Sequence, residues 1–248
     1  MHSDVTTYVT IHDQSLITEA RTKGTFSDLP NVRYLCVGPR SFEDADDVVV
    51  CNKYDPNWED FPNLYDFTGW ATLIYHELIE TPHCIMIQYD HSPVPDTDIA
   101  VITKAAKDHP VTAFVPASYD PNNWMLQVPE FTPDFHTALG IMGVEQDFSH
   151  LDLSCWPTTQ GTAWQTSTLK DFINFVLPAY PFMASKTFGG HMAERMLAVF
   201  CLVSGISPHY EIRNFVHYSK DTHGTSALMF GRWDDYQSRQ QFFGRQWP

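Results

Sequence analysis

The sequence predicts an α/β fold built on a mostly parallel central sheet flanked by helices. Three observations predict it. Short β-branched or apolar runs alternate with helical stretches over the first 115 or so residues. Several of these runs are continuously apolar rather than alternating, which implies strands covered on both faces. The chain has 248 residues, 43% of them hydrophobic, enough for one sizeable core.

The elements follow in order. Val5 to Ile11 is β-branched and reads as a first strand, ended by His12-Asp13-Gln14, with a short helix from Ser15 to Lys23. Asn31 to Val37 is a second strand, stopped by Gly38-Pro39, and Asp47 to Cys51 a third. A helix is expected from about Pro62 to Glu80. Cys84 to Asp90 is a fourth strand, apolar and then abruptly polar. Ile99 to Lys107 reads as helix and Val111 to Pro116 as a fifth strand. Residues 119–165 are rich in Pro, Asn and Trp without a clean period, and irregular structure is expected there. Thr168 to Val176 and His191 to Val203 are helices. The second carries Met192, Met196, Val199, Phe200 and Val203 at helical spacing. From Arg213 onward the pattern is of short strand-like pieces and turns.

The formal net charge is -15, and the 15 Lys and Arg residues are scattered without a basic stripe. Such a surface repels nucleic acid and anionic membranes. The five Cys are odd in number and lack metal-ligand spacing, so they read as buried reduced thiols, which fits a cytoplasmic protein. The start Met1-His2-Ser3-Asp4 is unlike a signal peptide, and no apolar run approaches the roughly 18 residues of a membrane span. The ending Gln246-Trp247-Pro248 is compatible with a segment of a longer multidomain chain. Aromatics are abundant at 14%; core packing is their commoner use and stacking on sugar rings the rarer one.

Four segments carry candidate chemistry. Gln88-Tyr89-Asp90 ends the fourth strand, and ligands of open α/β sheets bind beyond strand carboxyl ends. Asp90 there can hold Mg²⁺ or Mn²⁺ against a diphosphate, with Asp96 and Asp98 assisting, or it can simply cap the loop. Asn63 to Trp70 opens a helix. Asn63 would cap it, and the free N–H groups of the first turn suit a phosphate. Gly69 inside that helix costs roughly 1 kcal/mol relative to Ala, which either a close ligand or tight helix–sheet packing would explain. The Gly189-Gly190 pair leads into a helix that sets His191 and Glu194 three apart on one face. They suit a general base and its orienter; the alternative is that Glu194 complements the helix N-terminus and pairs with Arg195. Last, His217, Lys220 and His223 cluster after a strand-like run. An imidazole there can complete a metal shell, and Lys220 can neutralise a phosphate.

The order of these blocks resembles the small GT-A glycosyltransferases of bacterial polysaccharide clusters and large DNA viruses, in particular the DUF4422 type. The matching stretches are Asn63 to Trp70, Ile85 to Ser92 and Gly189 to Leu197, with Tyr8 to His12 where such enzymes begin their nucleotide-binding sheet. The resemblance implies a GT-A fold and a nucleotide-diphosphate sugar donor, such as UDP-galactose or UDP-glucose. It also implies a glycan acceptor and Mn²⁺ or Mg²⁺. Residues 1–115 would form the nucleotide-sugar half of a single domain and residues 116–248 the acceptor half. Thr10, Ile11, His12, Asn63, Thr68, Gly69, Gln88 and Tyr89 would bind the donor. Asp90 and His217 would hold the metal, and Glu194, His191 and Lys220 would act in transfer. The usual Asp-x-Asp motif reads Gln88-Tyr89-Asp90 here, which leaves Asp90 as the lone strand carboxylate. A glycan- or nucleotide-binding module without turnover, and a nucleotidyltransferase, are the other readings.

Overall fold

The structure, a computed structural model, describes residues 4–61, 64, 66–93, 98–114, 116–117, 125–126, 128–148, 156–157, 159, 161–211, 215–219 and 227–228. In chain order the first elements are β1 (Val5–Ile11), α1 (Gln14–Lys23), β2 (Val32–Cys36), β3 (Val48–Val50), α2 (Asp66–Tyr75), β4 (His83–Gln88), β5 (His91–Pro93), α3 (Ile99–Asp108), β6 (Val111–Ala113) and β7 (Pro116–Ala117). Then come α4 (Phe131–Ile141), β8 (Trp156–Pro157), β9 (Gly161–Gln165), α5 (Thr166–Val176), α6 (Tyr180–Ala184), α7 (Gly189–Val203), β10 (His209–Tyr210), β11 (Phe215–Ser219) and β12 (Ala227–Leu228).

A seven-stranded sheet runs in the order β10-β6-β9-β4-β1-β2-β3. β1 pairs in parallel with β2 and β4, β2 with β3, and β6 with β10. Only β9 is antiparallel, to β4 on one side and β6 on the other. The sheet is therefore mostly parallel and flanked by helices, as the alternating pattern predicts. Side chains alternate between its faces. Val9, Ile11, Ile85 and Ile87 pack with Ile17 of α1 and Ile102 of α3. Tyr8, Leu35 and Met86 pack on the other face with Trp70 of α2, Phe172 of α5 and Met196 of α7. Trp70 meets Trp164 of β9 edge-on, and Phe172 stacks on Trp164 at 5.4 Å.

Three sequence expectations are corrected. Residues 119–165 are not simply irregular, since they supply α4 and the buried β9 in mid-sheet. Gly161 to Gln165 is too short and too flanked by polar and Pro residues to announce a central strand; two ladders recruit it instead. The helix expected to run to Glu80 stops at Tyr75, where Glu77 turns into left-handed space (φ 54°) and Leu78 N–H closes on Leu73 O. The helix expected from His191 begins at Gly189, so the glycine pair belongs to α7 and His191 and Glu194 are its third and sixth residues. Cys36, Cys51, Cys84 and Cys201 are buried free thiols; Cys155 lies outside the described residues. Among the described residues no helix is long and apolar enough to cross a membrane.

Two glycines set helix positions. A Cβ on Gly69 would lie 2.7 Å from Val37 Cγ1 and 2.9 Å from Leu35 Cδ2, so α2 sits directly on the sheet. A Cβ on Gly189 would collide with the Met183 carbonyl oxygen, a backbone atom that cannot rotate aside. Gly189→Ala is therefore expected to cost about 1–3 kcal/mol, read as a lower urea midpoint at unchanged slope.

Candidate functional site

The parallel registers decide where the site forms. Thr10 of β1 stands opposite Leu35 of β2 and Gln88 of β4, so three strands end at one edge. Beyond that edge lies a cavity of about 570 Å³. β1 contributes Thr10 and the following His12, and the β2 end contributes Val37 to Arg40. The β4 end gives Gln88, Tyr89 and Asp90, and α2 gives Asp66 and Thr68. Glu59 enters from the loop before α2, and His191 and Glu194 from α7.

The β1 and β4 ends are tied together. Tyr89 N–H donates to Thr10 O at 3.1 Å, and the Tyr89 ring meets His12 edge-on at 4.8 Å. Partial burial, with Arg40 nearby, holds the His12 imidazole below its ordinary pKa, so it is a neutral lining group at pH 7. Arg40 itself pairs with Asp13. Glu59 is buried, accepts from Gly38 N–H and from Thr68 Oγ1 at 3.3 Å, and is pushed up in pKa by burial.

Gln88 Nε2 donates to Asp66 Oδ2 at 2.7 Å. Burial pushes the Asp66 carboxyl up to about 7. The Gln88 bond opposes the shift, while the charges of Asp90 and Glu194 add to it. Asp90 Oδ1 lies 2.8 Å from Nδ1 of the buried His91, and residue 91 is the register partner of residue 217 across β5 and β11. The chain at His217 thus returns beside Asp90. His191 Nδ1 is 3.4 Å from Glu194 Oε2. Arg195 is turned away from a simple ion pair with Glu194, 3.9 Å off. Its guanidinium stacks over Trp156 at 4.8 Å and Phe131 at 5.1 Å and donates to His191 O at 2.7 Å. It fastens the start of α7.

Among the predicted residues, Thr10, His12, Thr68, Gln88, Tyr89, Asp90, His191 and Glu194 share the cavity. Ile11 does not: it is fully buried in the core beside Ile17. Gly69 packs against Leu35 and Val37. Asp98 caps α3, accepting from Ala100 N–H at 2.9 Å. Asp47, just before β3, binds Arg21 at 2.5 Å. Asn63, Asp96, Lys220, His223 and the His217 side chain lie outside the described residues, and among those described no group of three or more His, Cys, Asp or Glu gathers as a metal site. Sequence reasoning missed Glu59, Asp66 and Arg40. Asp66 sits inside the Asn63 to Trp70 block, an acidic residue amid apolar ones, and that was its available signal; Glu59 and Arg40 lie in loops that carry none.

No family model matches the chain, and no curated protein does. Solved structures do resemble it. The bifunctional glycosyltransferase WbbM, in its apo structure, superposes with a TM-score of 0.54 at 12% identity, over 92% of this chain and 48% of that one. The mannosyltransferase Ktr4p from S. cerevisiae superposes with a TM-score of 0.50 at 11% identity, over 94% of this chain and 78% of that one. The chain thus spans about half the length of WbbM. At such identities the likeness is one of fold: the chain has the α/β fold of these glycosyltransferases, with the mostly parallel sheet that its alternating pattern predicts.

The raised Asp66 pKa has a stability consequence. Between its ordinary value of 3.8 and about 7 the folded chain keeps a proton that the unfolded chain releases. Stability therefore falls as pH rises through that window. Asp66→Asn is expected to flatten this fall in melting temperature between about pH 4 and pH 8, and to melt higher than wild type at the alkaline end.

Proposed function

We propose that the protein transfers a hexose from a nucleotide-diphosphate sugar, a UDP-sugar such as UDP-galactose or UDP-glucose, to a hydroxyl of a glycan or glycoprotein acceptor. The transfer would be assisted by Mn²⁺ or Mg²⁺. One observation carries the reading: a single cavity beyond three parallel strand ends joins Thr10, His12 and Gln88 to Asp90 with Glu194 and His191 of a late helix. The fold shared with glycosyltransferases and the DUF4422-like order of blocks support it.

In this reading the nucleotide lies over Thr10, His12 and the Val37 to Arg40 turn, where the positive charge of Arg40 is shared with Asp13. Asp90 is a hard oxygen donor, and His217 returns on the strand paired with β5; a carboxylate and an imidazole fit Mn²⁺ well and Mg²⁺ acceptably. A divalent ion held there would offset the charge of the leaving diphosphate. Lys220 would add to that from the tail. Glu194 would take the proton of the acceptor hydroxyl, with His191 at 3.4 Å orienting it.

A second reading has its own observation. Gln88 is neutral where Asp-x-Asp would put a carboxylate, which favours a nucleotide- or glycan-binding module without turnover. Donor hydrolysis in Mn²⁺ separates the two.

The test is a thermal-shift panel of nucleotide-sugars with and without Mn²⁺, followed by transfer assays on the donor that raises the melting point. Asp90→Ala is expected to abolish the Mn²⁺-dependent shift, while loss of the partner of the buried His91 Nδ1 lowers the variant's own melting point only moderately. A much lower melting point with wild-type donor affinity would make Asp90 a structural cap. Glu194→Gln is expected to lower turnover by about 10²–10⁴ with donor affinity unchanged. Unchanged turnover per folded molecule would remove Glu194 from the chemistry and favour a retaining transfer.

A further inference from the structure

Burying a carboxylate costs free energy, so one held inside a cavity wall calls for a reason. Asp66 is such a group: it is the first residue of α2, only 7% exposed, and lines the cavity. Its partner is the side-chain amide of Gln88, 2.7 Å away, which lines the same cavity.

The pairing has a chemical consequence. The two ends of a Gln amide have nearly the same shape, and only their partners decide which faces where. An ionised carboxylate can only accept hydrogen bonds, so it selects the NH₂ end. The carbonyl oxygen is then turned away from Asp66. A neutral oxygen acceptor meets hydroxyls well and phosphate oxygens badly, because two acceptors repel.

The groups that share the cavity say which part of the ligand the pair meets. Asp66 and Gln88 line it together with Asp90, beyond the end of β4, and Glu194 of α7. On the glycosyl-transfer reading, Asp90 marks the diphosphate end and Glu194 the acceptor end. What lies between them is the transferred sugar. We propose that Asp66 is a positioning residue for Gln88, and that the Gln88 carbonyl oxygen it orients accepts a hydrogen bond from a hydroxyl of the donor's sugar. The inference rests on that reading and adds a sugar-sensing pair to it.

The experiment compares UDP with UDP-glucose and UDP-galactose by calorimetry, with Mn²⁺, at about pH 8, where the Asp66 carboxyl is ionised. Wild type, Asp66→Asn and Gln88→Ala are measured. Asn at position 66 keeps the shape but can pair with either end of the amide, so the orientation is lost. Each variant is expected to bind the preferred UDP-sugar about tenfold more weakly while binding UDP as wild type does. A merely structural role would weaken both ligands alike, and that result overturns the inference. So does an unchanged UDP-sugar affinity in both variants. Wild-type protein that binds neither UDP nor a UDP-sugar overturns the functional reading and this inference with it. Wild-type binding with the ratio held in both variants overturns this inference alone.

Discussion

β1 is buried along its whole length and bonded in parallel on both sides, and this constraint shapes everything that follows. A central strand without either ladder would leave buried N–H and C=O groups unpaired. With both ladders made, the carboxyl ends of β2, β1 and β4 fall side by side. The chain leaves β1 through α1, whose Ile17 packs on one face, and enters β4 from α2, whose Trp70 packs on the other. The crossovers therefore diverge at the β1–β4 boundary, with Thr10 and Gln88 in register there. A crevice at such a switch point is the standing place for a ligand in an open α/β sheet.

The electrostatics of that crevice follow from which charges the fold has already committed. Glu59, Asp66, Asp90 and Glu194 all line it, and Asp66 and Glu59 are raised in pKa first of all because they are buried. Among the described residues the cations near them are engaged. Arg195 spends its charge on Trp156, Phe131 and the His191 carbonyl, and burial lowers its pKa to about 10. Arg40 is shared with Asp13. A diphosphate entering alone would meet mostly like charge, whereas one entering with a divalent cation would find the carboxylates favourable. The net charge of -15 points the same way over longer distances.

The sequence made the early strands and helices legible because each follows a local rule. β-branched runs ended by Gly38-Pro39 or by His12-Asp13 gave β1 and β2 nearly to the residue, and helical spacing gave α7. What was not legible depends on distant partners. Gly161 to Gln165 is strand because β4 and β6 offer it two ladders, a fact absent from its own composition. The site divides the same way. Asp90 and Gln88 stood out because polar residues abruptly end an apolar strand. Glu59 gave no signal, since its burial is created by Gly38 and Thr68 closing on it. A glycine inside a helix fits a close ligand and tight packing equally well on sequence alone, and at Gly69 it is the contact with Val37 and Leu35 that decides for packing.

The late chain completes a site that the early chain begins. β9 and β10 extend the sheet, and β11 lays residue 217 opposite His91, next to Asp90. α7 is held by packing rather than by the groups it presents. Gly189 seats it against the Met183 carbonyl, and Arg195 ties its first turn to Phe131 and Trp156. His191 and Glu194 need not support the helix and stay turned to the cavity. A side chain whose helix is fixed by other contacts has its direction set before any ligand arrives. A group asked to take a proton in a transition state needs that, because every rotamer frozen beforehand is one the reaction need not freeze. The same logic holds across the cavity, where Asp66 fixes Gln88 through one hydrogen bond at the start of another packed helix. The two walls are thus preorganised by contacts behind them, and the cavity between them is shaped by the core rather than by what it binds.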